Sequence, residues 1–178
     1  MARGPVPAGP EAGRSGGAGP WGPQPAFQAP SVAEAAALRR IYARVDEALA
    51  GRSATCQACG RCCAFRPGGP VLFASALEMA FLVTEAGPPG ADGRVPPGEG
   101  DDAWRCLYQA PQNDASVGGL CAAREARPLG CRTYFCDPAA RVAGERLHAD
   151  ALGQIREVGG PGAEWYGPAR DYLAALAV

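Results

Sequence analysis

Eight cysteines lie between Cys56 and Cys136 of a 178-residue chain, and none lies outside that stretch. They fall into two groups. The first is Cys56, Cys59, Cys62 and Cys63, and the second is Cys106, Cys121, Cys131 and Cys136. Thiolates with two residues between them can turn onto one ion, with a metal–sulfur distance of about 2.3 Å for zinc. Cys56, Cys59 and Cys62 recur at every third position, and residues i and i+3 nearly eclipse in a tight helical turn. Three thiolates so spaced suit a cubane iron–sulfur cluster. Structural zinc more often uses CxxC pairs separated by a longer loop. Cys63 directly follows Cys62, and neighbours on extended backbone point to opposite faces. Cys63 therefore serves a second ion, bridges two ions, or acts as a thiol.

Without metal, the cysteines are harder to account for. Buried thiols acting as small hydrophobes explain one or two of them but not eight at ligand-like spacing. A disulfide framework suits a secreted protein. The first residues, MARGPVPAGPEAG, contain no apolar stretch of the kind a secretory signal needs. The expectation is a cytoplasmic protein with reduced cysteines, where such a cluster points to metal.

The formal charge of -1 offers no basic excess for nucleic acid or an anionic membrane. No apolar run reaches the ~18 residues of a membrane span. All 17 basic residues are arginine, so lysine-based Schiff-base chemistry is excluded within the chain.

Residues 1–30 are rich in Gly and Pro and read as a disordered tail, with Trp21 and Phe27 as an interaction segment in the alternative reading. Ser31 with Glu34 forms a capping-box signature. Leu38, Ile41, Tyr42, Val45 and Leu49 then make one apolar helical stripe, closed by Gly51. Residues 52–70 are irregular, and Val71–Phe73 is a short strand. Ser75 with Glu78 repeats the capping box at the head of a helix reaching about Ala86. Residues 87–101 are a loop, Trp104–Tyr108 reads as a strand, and Gly118-Gly119 as a turn. Helices are expected over 139–158 and 168–177. The fold class is α+β: a small, irregular, metal-stabilised domain over residues 31–178, mostly helical with a short β element, with its core motif at 52–137.

The stretch CQACGRCC carries the CxxCxxCC signature and resembles the YkgJ family, described as a zinc- or iron-chelating domain. A second stretch, CAAREARPLGCRTYFC from Cys121 to Cys136, is similar to that family's C-x-x-[YH]-E-x-R-P-x-x-C-R-x-[YF]-x-C pattern. It departs at Arg124, where an aromatic residue or His is usual. The resemblance covers roughly residues 52–137. It implies that the eight cysteines bind zinc or iron, an iron–sulfur cluster included. A related domain in a flagellin lysine methylase extends the analogy to methyl transfer.

Arg127 and Arg132 flank Cys131 and can offset the negative charge of a thiolate–metal cluster, which makes them candidate cofactor-binding residues. The alternative is surface pairing with Glu125 or Asp137. Pro128 fixes the chain between them. His148, the one histidine, lies outside both cysteine groups and reads as an exposed helix residue, with a fifth-ligand or acid–base role as the alternative. Three functions remain open. The first is a metal-binding protein, the second an iron–sulfur enzyme with redox or methyl-transfer activity, and the third an interaction module stapled by metal. The metal ion is the expected partner, and no residue is assigned a catalytic role.

Overall fold

A computed structural model describes residues 21–50, 63, 70–89, 106–109, 121–135 and 138–176. Gly51, Cys56, Cys59, Cys62, Trp104, the Gly118-Gly119 turn and Cys136 lie outside the described residues. Among those described there are five α-helices: α1 (Val32–Ala50), α2 (Ala76–Ala86), α3 (Leu129–Thr133), α4 (Pro138–Gly159) and α5 (Ala169–Leu176). Two three-residue strands, β1 (Phe73–Ser75) and β2 (Tyr166–Pro168), pair antiparallel, with Phe73 opposite Pro168 and Ser75 opposite Tyr166. The architecture is mostly helical α+β.

Both capping boxes form. At α1 the Ser31 amide donates to Glu34 Oε2 at 2.7 Å, and the Glu34 amide donates to Ser31 Oγ at 3.2 Å. Each bond satisfies an amide that the first turn would otherwise leave without a partner. The same exchange joins Ser75 and Glu78 at α2. The α1 stripe is buried as its spacing requires, with Leu38, Ile41, Tyr42 and Val45 all within the core. Opposite it, α2 is apolar nearly all round and buried from Ala76 to Val83, as a helix with no polar face must be.

Ser75 ends β1 and caps α2, while β2 runs directly into α5. The Ala169 amide bonds to Leu72 O and the Ala76 amide to Trp165 O, so the ladder continues past both strands. The first strand is thus displaced two residues from its expected place at 71–73. Residues 106–108 are a turn rather than a strand, closed by the Gln109 amide on Cys106 O. On the sheet, Phe73 stacks against Tyr166 at 5.6 Å, and Trp21 meets Phe73 edge-on at 4.8 Å. Gln24 Nε2 donates to the Tyr172 carbonyl of α5 at 3.2 Å. Residues 21–30 therefore touch the folded body through Trp21 and Gln24. Residues 1–20 lie outside the described residues.

Candidate functional site

Four of the eight candidate ligands are described: Cys63, Cys106, Cys121 and Cys131, each partly exposed. The backbone laces the first three together. The Cys106 amide donates to the Cys63 carbonyl at 2.7 Å, joining the two cysteine groups directly. Gln109, closing the Cys106 turn, forms an antiparallel bridge with Cys121. The Ala122 amide donates to Tyr108 O at 2.8 Å. Tyr108 roots this lacework, since its ring is buried and its hydroxyl donates to the Gly87 carbonyl at the end of α2 at 2.7 Å. Among the described residues, no three Cys, His, Asp or Glu side chains converge as a metal-holding group.

Cys131 is held differently. It sits in the middle of α3, and every other residue of that one-turn helix is buried. The Leu129 amide donates to Glu78 Oε1 at 2.8 Å. Gly130 lies against the β1 backbone, where a Cβ would come 2.5 Å from the Phe73 carbonyl oxygen. The Arg132 guanidinium enters the interior, and the Thr133 hydroxyl donates to Leu129 O at 2.9 Å. Pro128 opens the turn, its carbonyl accepting from the Cys131 and Arg132 amides. A thiol on so short a helix gains its rigidity from these anchors rather than from helix propensity.

Glu78 is the centre of this support, and sequence reasoning assigned it only the cap. Fully buried, it accepts from the Ser75 amide and hydroxyl, the Tyr42 hydroxyl at 3.2 Å and the Leu129 amide, so one side chain joins α1, α2 and α3. The signal was there to read. A capping-box glutamate within an all-round apolar helix has to be buried, and a buried acid needs partners. Burial, and after it the Glu78 side chain, push the Tyr42 hydroxyl well above its usual titration range. Tyr42 therefore stays a donor.

The two candidate arginines part company. Asp137 lies outside the described residues, and Arg132 is buried rather than paired at the surface with Glu125. Its Nη1 pairs with Asp46 of α1, its Nη2 donates to the Glu125 carbonyl, and its Nε to the Arg127 carbonyl at 2.8 Å. Its guanidinium also lies over the Tyr42 ring at 4.2 Å. With a side chain only 2% exposed against 42% for Asp46, Arg132 is a tie between α1 and the 3-10 turn Arg124–Ala126. Arg127 points elsewhere. It lines a cavity of about 280 Å³ together with Cys131, and its Nε is buried with no hydrogen-bond partner. A buried donor left without a partner costs about 1–3 kcal/mol. A larger groove of about 470 Å³ adjoins this cavity, sharing Asp46, Arg124, Glu125 and Arg132 with it.

His148 is not an exposed helix residue. It is partly buried in α4 between the Thr133 hydroxyl, 3.0 Å from Nδ1, and the Tyr166 hydroxyl, 2.7 Å from Nε2. Thr133 gives its proton to Leu129 O, so its oxygen accepts the Nδ1 proton of His148. Nε2 then accepts from Tyr166. Burial pushes the Tyr166 hydroxyl up to about 12, which keeps it a donor. Burial likewise lowers the His148 imidazole below its usual value, against an opposing pull from Glu78. The neutral ring locks α3 to α4 and β2. It faces the back of the Cys131 helix, on the side of Thr133.

No family model, no curated protein and no solved structure matches this chain. No helix among the described residues is long and apolar enough to cross a membrane.

Proposed function

We propose that the chain is a cysteine-cluster protein that binds zinc or iron through thiolates of both cysteine groups. The observation that carries this reading is the Cys63–Cys106 backbone bond. It brings together one cysteine of each group, distant in sequence. The donor set fits a thiophilic metal, being thiols with arginine as the nearest cation, and arginine favours the thiolate form that binds metal. Cys56, Cys59 and Cys62 are assigned as primary ligands by their three-residue recurrence, with Cys131 or Cys136 closing the site. Cys63, Cys106 and Cys121 supply a second ion or a reactive thiol. The same recurrence favours an iron–sulfur cluster over a lone zinc ion. The resemblance to the YkgJ family supports metal chelation.

The test is anaerobic purification, then metal analysis and an absorption spectrum of the wild type and of Cys59→Ser and Cys63→Ser. We expect Cys59→Ser to remove at least one bound metal, or the visible absorption if iron is present, and Cys63→Ser to have a smaller or separable effect. A protein purified free of zinc and iron overturns the proposal. Emptying of every site by Cys63→Ser, with no effect of Cys59→Ser, overturns the ligand assignment.

A further inference from the structure

We propose that the 280 Å³ cavity beside Cys131 binds a small organic carboxylate, gripped by Arg127. This stands on the cavity itself and not on the metal reading. Three arginines line the space, Arg124, Arg127 and Arg132, with two acidic residues, Asp46 and Glu125. Arg132 is already committed to Asp46 and to two backbone carbonyls, so its charge is cancelled locally. Arg124 and Arg127 have no carboxylate within ion-pairing distance among the described residues. The buried Nε of Arg127 is a donor without an acceptor, and a native group in that state calls for a bound ion or solvent. Guanidinium recognises a carboxylate through paired N–H donors, which fixes the head group.

The rest of the wall sets the body of the ligand. Leu49, Tyr134 and Phe135 add apolar and aromatic lining to the same cavity. A bare inorganic anion leaves that lining unused. A carboxylate on a short aromatic or aliphatic body satisfies both. The volume is just under the lower end of ordinary ligand pockets, about 300 Å³.

The experiment titrates the full chain, by calorimetry, with benzoate, with its neutral analogue benzamide and with inorganic phosphate, and records the metal content of every sample. Benzoate is expected to saturate one site and to bind about tenfold or more tightly than either benzamide or phosphate, as the loss of a charge-assisted hydrogen bond implies. Arg127→Gln is expected to weaken benzoate about tenfold. Arg124→Gln, at an exposed position, provides a second variant with little risk to folding and is expected to weaken benzoate severalfold. The proposal is overturned by any of four results: no saturable benzoate binding, equal binding of benzamide, equal or tighter binding of phosphate, or benzoate affinity that follows metal content and ignores both arginine substitutions.

Discussion

At the scale of single residues, His148 shows how one tautomer can fix a helix. Its Nδ1 proton is taken by Thr133 because Thr133 has spent its own on Leu129. Its Nε2 remains open to Tyr166, whose hydroxyl keeps its proton well past neutral pH. The imidazole is lowered on folding from 6.5, chiefly because burial disfavours its charged form. The unfolded chain thus binds the proton more readily than the folded one. The contribution of His148 is fully present above about pH 6.5 and is lost as pH falls through its lowered folded value. Unfolding measured from pH 7.5 to 5 should show stability declining with acid, and His148→Gln should flatten that decline. An unchanged pH slope in the variant would show that other groups govern it. Sequence offered no sight of this, since Thr133, His148 and Tyr166 sit on three separate elements and no spacing rule joins them.

At the scale of elements, local signals were legible and short or distant ones were not. Both capping boxes could be read because the box is complete within four residues, and the α1 stripe because it spans several turns. By contrast, α3 is one turn long, too short for any periodicity, and β2 is three residues long and contains Gly167 and Pro168, both poor strand formers. What makes α3 a helix is its surroundings, above all the close approach of Gly130 to Phe73. Gly144 of α4 approaches the Thr133 carbonyl in the same way from the other side. Gly130→Ala pushes a methyl group into the β1 backbone, which has no flexible end to yield. We expect a loss of about 1–3 kcal/mol in denaturant unfolding, with Cys131 more reactive toward a thiol reagent. Unaltered stability and reactivity would mean that α3 can shift away without cost. The cysteines were legible as residue types and spacing. Which of them approach one another was not, because the Cys63–Cys106 meeting is made by backbone groups that any residue carries.

At the scale of the whole molecule, the sheet and the segment before α1 bind the chain's distant parts. Composition assigned residues 1–30 to a tail, yet Trp21 rests on Phe73 and Gln24 on α5. An edge-to-face aromatic pair contributes about 0.5–1.5 kcal/mol beyond its buried area, and a hydrogen bond about 1 kcal/mol. A chain beginning at Ser31 should therefore melt several degrees below one beginning at Trp21. Equal melting temperatures would return residues 21–30 to a passive tail. Gly and Pro richness obscured this contact because it reflects the average of the segment, and two side chains suffice to dock it.

The pairing of Phe73–Ser75 with Tyr166–Pro168 also sets a timetable. Synthesis delivers every cysteine before it delivers β2, and contacts so far apart in sequence form late because a long loop must close first. Until Tyr166 emerges, His148 has no hydroxyl at its Nε2 and β1 has no partner strand. During translation, then, all the thiols leave the ribosome while the helix carrying Cys131 still lacks its final brace, exposed to oxidants and to whichever ion reaches them first. Under the metal-binding reading proposed above, loading with the right ion belongs after chain completion, when the last strand has paired with the first.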